Sequence, residues 1–120
     1  MRVIKRVVVD IMGTVWHARL MDRKSFVEAH GRDYERTEAV CVGSDRTMDF
    51  VVDYIDIGVA RHEVRHAFTF ECCITSSKLN ALQMEELQCE LDESRWDDMN
   101  SRSKQIWSAF KKCKKPSART

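Results

Sequence analysis

Apolar residues recur along this chain with two different periods, and the change of period marks out three zones. In the first, from Val3 to about Gly43, β-branched and aromatic residues cluster in short runs. Val7 to Met12 and Val15 to Ala18 predict strands, with Gly13-Thr14 between them. The pattern fits a hairpin or one bent strand equally well. Ser25 to Glu28 predicts a short helix closed at His30-Gly31, Thr37 to Val42 another strand, and Gly43-Ser44-Asp45 a turn.

The second zone runs from about Thr47 to Cys73. There Ile55, Val59, His62, His66, Thr69 and Cys73 recur at three- and four-residue steps, which puts them on one face of a helix. The helix is expected to begin between Thr47 and Asp53, although Phe50-Val51-Val52-Asp53-Tyr54 would suit a strand as well. The third zone opens after Ile74-Thr75-Ser76-Ser77. Asn80 followed by Gln83 reads as a capping box, and Leu82 to about Glu93 as a helix. Asp97 to Lys112 continues that helix or forms another, with Met99, Ile106, Trp107 and Phe110 on its apolar side. The expected architecture is α+β: a small N-terminal sheet packed on the helix of zone two and on C-terminal helices. One domain spans residues 1–112, and residues 113–120 form a flexible tail.

Charge adds an exclusion. Twenty basic residues against nineteen acidic ones leave a net charge of +1, which offers no electrostatic case for nucleic acid or a membrane surface. The longest apolar runs fall far short of the roughly 20 residues that span a bilayer. Charges interrupt the first ten residues, which makes them a poor signal peptide. The five cysteines are odd in number and scattered, so free thiols in a reducing, cytoplasmic setting are expected.

The segment that carries chemistry is His62-Glu63-Val64-Arg65-His66, an H-E-x-x-H pattern within the second-zone helix. Residues four apart lie one above the other, so both imidazoles can reach one tetrahedral zinc ion. Glu63 is rotated by about 100° from His62. It stands beside such an ion, where it can take a proton from water and return it to a leaving amine. Ile55, Val59 and Phe70 suggest that the histidine side of the helix faces the core.

A zinc site needs a third protein ligand. Met84, Leu87 and Leu91 mark the buried face of the next helix. Glu86 and Glu90 then lie about 100° and 60° from Leu87, while Glu85 falls near the opposite side. Geometry leaves Glu86 and Glu90 open and slightly prefers Glu90.

These two segments together, His62 to Ala67 and Glu86-Leu87-Gln88-Cys89-Glu90, resemble the gluzincin pattern. The likeness is nearest to the ImmA/IrrE-type and short phage- or prophage-encoded metallopeptidase-like proteins. It implies zinc held by His62, His66 and Glu86, with Glu63 as general base. It also implies a small sheet before the active-site helix, and a protein as substrate. Arg65 stands where many members carry an uncharged residue, and Leu91-Asp92-Glu93-Ser94-Arg95 is unusually charged. These departures keep a second reading beside the first: a non-catalytic binding or inhibitory protein that retains zinc for stability. Of the residues able to polarise a scissile carbonyl, His17, His30, Tyr34 and Tyr54 are candidates. His17, His30 and Cys73 are further candidates for a metal ligand.

Overall fold

The computed structural model describes residues 2–73 and 80–114. Its first two strands, β1 (Val3–Ile11) and β2 (Thr14–Met21), form a hairpin rather than one bent strand. The turn is Met12-Gly13, and both residues have positive φ, 53° and 87°. That conformation matches the right-handed twist of the flanking strands, and Gly13 adopts it without steric cost. Helix α1 (Arg23–His30) follows, capped by the Asp22 carboxylate, which accepts from the Ser25 N–H at 2.8 Å. Gly31, at φ 100°, ends it. Strands β3 (Ala39–Val42) and β4 (Thr47–Val51) complete a mixed sheet of order β1-β2-β4-β3. β4 runs parallel to β2 and antiparallel to β3.

β4 corrects the expected start of the second-zone helix. Thr47–Val51 is a strand, and the helix α2 (Ile57–Cys73) begins only after it. β4 is buried from Met48 to Val51. Met48 and Phe50 join the main core, while Val51 packs with Met21 and Phe26 under α1. A strand covered on both faces shows a continuous apolar run instead of an alternation, and such a run cannot be told from a buried helix by period. The Asp56 carboxylate then opens α2 by accepting the Val59 N–H at 2.8 Å.

Asn80 and Gln83 form the expected capping box at the head of α3 (Ala81–Ser94), with bonds of 2.8 and 3.0 Å. A break at Arg95 separates α3 from α4 (Trp96–Phe110). The main core lies between the sheet and α2 and α4. From α2 it takes Ala60, Val64, Ala67 and Phe68, from α4 Met99, Ile106 and Phe110. Phe110 meets Phe50 of β4 edge-on at 5.9 Å. The chain stays folded past the point where the tail was expected. Cys113 packs on the main core, and Lys114 Nζ donates to the Ile55 carbonyl at 3.0 Å. Ile74 to Ser77 and residues 115–120 lie outside the described residues. Among the described residues no helix is long and apolar enough to cross a membrane.

Candidate functional site

Helix α2 has a core side and an open side. Ala60, Val64, Ala67 and Phe68 face the core and are fully or almost fully buried. The histidines do not face the core, contrary to the reading from Ile55, Val59 and Phe70. The His62 side chain is 67% exposed, and His66 is exposed too. Small residues every three or four positions let the other side pack closely on the sheet, and that contact sets the rotation of the helix. His62 Nε2 and His66 Nε2 nevertheless converge to 3.0 Å. Glu63 lies between the two sides, 6% exposed, with a carboxylate oxygen 4.0 Å from His62 Nε2.

The pair opens onto a cleft of about 550 Å³. His62, Glu63 and His66 line it from α2, and Ala39, Val40 and Cys41 line it from the edge strand β3. Tyr34, Phe70, Cys73 and Met84 add to its walls, so most of the lining is apolar. Gly43 is required here, because a Cβ at that position would run into the Phe70 ring. Phe70 is also held edge-on by Trp16 at 6.0 Å and lies under the Arg46 guanidinium. Beneath it, the Glu71 carboxylate accepts from Trp16 Nε1 at 2.6 Å and Arg46 Nε at 2.8 Å. Burial pushes Glu71 up, but these bonds and the Arg46 charge together bring it below its ordinary range.

Burial pushes the Glu63 carboxyl up to about 7. His66 is shifted down, first by burial and then by its neighbours His62 and Arg65, which favours the neutral imidazole needed of a metal ligand. Burial, with the Glu63 charge in second place, pushes the Cys41 thiol up to about 12. Cys41 is therefore a wall of the cleft and not a nucleophile. All five cysteines are free thiols.

The fit to a metal ion extends to two donors. Nitrogens about 2.05 Å from one tetrahedral ion stand roughly 3.3 Å apart, close to the 3.0 Å between the two imidazoles. Glu86 is not brought to them. It is exposed on α3 and does not line the cleft, and the same is true of Glu85 and Glu90. Among the described residues no group of three His, Cys, Asp or Glu side chains is arranged to hold an ion. A helical wheel gives angles within α3 but not the rotation of α3 against α2. In the fold α3 reaches the cleft through Met84, whose sulfur is 3.9 Å from Cys73 Sγ.

The other candidates separate clearly. His17 is exposed on β2, and Tyr54 lies 5.3 Å under the Arg23 guanidinium. His30 is bound elsewhere, its Nε2 2.7 Å from Asp49 Oδ2. Of the four carbonyl-polarising candidates, Tyr34 alone lines the cleft. The Asp49 cluster was not foreseen. Asp49 is fully buried and accepts from Arg19 Nε and Nη2 at 2.6 and 2.7 Å. A carboxylate between Met48 and Phe50, inside an apolar strand, was its signal, since such a group is buried only when paired. Compared with protein-family models, curated proteins and solved structures, the chain gives no significant match.

Proposed function

We propose that this chain is a zinc-dependent peptidase in which His62 and His66 hold the metal and Glu63 is the general base. The convergence of the two Nε2 atoms to 3.0 Å carries the reading. It is supported by Glu63, a carboxylate buried beside the pair where burial alone costs stability, which is a mark of functional rather than structural placement. The apolar cleft suits an extended peptide with an apolar side chain. When bound, zinc would polarise a carbonyl and lower the pKa of water to about 7. Glu63 would take the proton of the attacking water and return it to the leaving amine. Glu86 or Glu90 would complete the site by a shift of α3. A phage or prophage setting and an ImmA/IrrE-like kinship remain part of this proposal, on the motif alone.

A second reading is a binding or inhibitory protein that keeps zinc for stability, and the exposure of Glu86 on α3 counts against a three-ligand site in either reading. One experiment separates the two. The protein is titrated with zinc and assayed on a quenched fluorescent peptide mixture, alongside His62→Ala, Glu86→Ala and Glu63→Gln. The peptidase reading expects zinc binding to collapse in His62→Ala and weaken strongly in Glu86→Ala. It expects Glu63→Gln to bind zinc normally and cleave nothing. Zinc binding without cleavage by the parent selects the second reading, and no zinc binding overturns both.

A further inference from the structure

Strand β1 lies at one end of the sheet, so one of its two edges has no strand beside it. At nine residues it is long for an edge strand, and a long edge is a template for pairing with another chain. We propose that β1 is the interface of a symmetric dimer, in which two copies of this chain pair their β1 strands antiparallel, centred on Val8, to make one eight-stranded sheet.

The backbone is turned the right way for this. Ile11 and Thr14 close the two-residue turn as a hydrogen-bonded pair, and bonded and non-bonded pairs alternate from there. Val9 and Val7 therefore bond to β2, while the N–H and C=O groups of Arg6, Val8 and Asp10 point to the free edge. Two further bonds agree. The Val8 carbonyl accepts from Gln105 Nε2 of α4 at 3.2 Å. His17, which stands opposite Val8, donates its N–H away from β1, to the Arg46 carbonyl at 3.0 Å. Gln105 is an exposed side chain that covers this one carbonyl, and its amide turns aside when a strand is added.

The side chains choose the register. Arg6, Val8 and Asp10 lie on the face turned away from the main core, and all three are exposed. With Val8 placed across from Val8 of the other copy, each Arg6 stands opposite an Asp10. Two opposite-charge pairs then flank a valine contact, and each such pair stabilises a sheet. Centring the strands on Arg6 or on Asp10 would set like charges face to face. The registers between them put a charge across from Val8.

These charges are poorly answered within one copy. Arg6 lies across from Arg19 of β2, whose guanidinium is committed to the buried Asp49. The Arg102 guanidinium comes no nearer to Asp10 than 3.9 Å, and the Asp10 side chain stays 55% exposed. Beside them Val8 and Val15, 53% and 55% exposed, are diagonal neighbours on the same face. The two-fold axis joins this apolar strip to its copy. Such a contact uses the same surface twice and leaves no β1 edge open, so it stops at a dimer. The cleft stays accessible, because it is lined by β3 at the other end of the sheet.

The test is the mass of the full, chelator-treated chain by sedimentation equilibrium at micromolar to submillimolar concentrations. The parent should weigh twice 14.0 kDa. Arg6→Asp and Asp10→Arg, each made alone, turn both ion pairs into repulsions and should weaken the dimer about 10- to 100-fold. Mixed in equal amounts, these two variants should dimerise with each other, since each supplies the charge that the other lacks. The double variant Arg6→Asp/Asp10→Arg should match the parent. Val8→Pro removes an N–H that the hairpin does not use, and should give a folded monomer. A parent that stays at 14.0 kDa overturns the proposal and leaves the edge to Gln105 or to a strand of another protein. Single variants as dimeric as the parent overturn it too, and so does an equal mixture of the two that stays monomeric.

Discussion

Helices α2 and α3 share the metal site expected from the motif, two ligands and the base on α2 and one ligand on α3, yet they sit in the fold very differently. α2 buries a full side: Ala60, Val64, Ala67 and Phe68 lie against the sheet and α4. α3 buries Leu91 among its described side chains, with Met84 and Leu87 half-covered. The consequence is visible in their functional residues. On α2 the core contact sets the rotation, so His62 and His66 are presented together and Glu63 is drawn under cover. On α3 little apolar area opposes the solvation of Glu85, Glu86 and Glu90, and all three point into solvent. A local motif is as well placed as the packing behind it.

The largest effect that tests this contrast is on stability. Phe68→Ala, at a position only 1% exposed, should cost about 3–5 kcal/mol in urea unfolding. Leu91→Ala should cost about 2 kcal/mol, the low end for such a deletion, because α3 is free to settle. Equal losses would show that α3 is anchored as firmly as α2.

A pH experiment sharpens the account of Glu63. Its carboxyl titrates near 7 in the fold against an ordinary 4.5, so the folded chain keeps a proton that the unfolded chain releases. The contribution of Glu63 to the stability of the chelator-treated protein should therefore be fully present below about pH 4.5 and be lost as pH rises through 7. It is set against His66, whose lowered pKa adds stability as pH rises toward 6.5. Glu63→Gln should abolish this decline, gaining up to about 3 kcal/mol at pH 8 and almost nothing at pH 4. A variant with the parent's pH profile would place the carboxylate in water instead of under the helix.

The smallest effect belongs to the start of α3. Asn80→Ala removes the acceptor of the Gln83 N–H and should cost about 1 kcal/mol of stability. If the helix is weakly held, amide exchange should quicken across α3 while α2 stays protected. Uniform quickening in both helices would mean that they unfold as one unit.

Much of this protein is written in short-range terms and could be read directly. The stop at Gly31, the Asn80–Gln83 box and the four-residue spacing of His62 and His66 depend only on backbone geometry within a few residues. The Met12-Gly13 hairpin and one bent strand, by contrast, stood equal until the structure decided for the hairpin. The α+β class follows from the change of period between zones one and two. The start of α2 was not legible, because β4 is buried on both faces and its apolar run has neither period. Which side of α2 faces the core was misread for a related reason: Phe70 lines the cleft and Val59 is only half-buried, while Ala60 and Ala67 are fully buried in the core, yet valine and phenylalanine look more like core than alanine. The Asp49 cluster joins residues from β2, α1 and β4, a meeting that no local pattern encodes. Whether a glutamate of α3 stands near the histidines was decided by the tertiary structure alone. Spacing along a helix sets angles about its own axis, whereas the rotation of one helix against another is set by the apolar area each has to bury, and α3 has little.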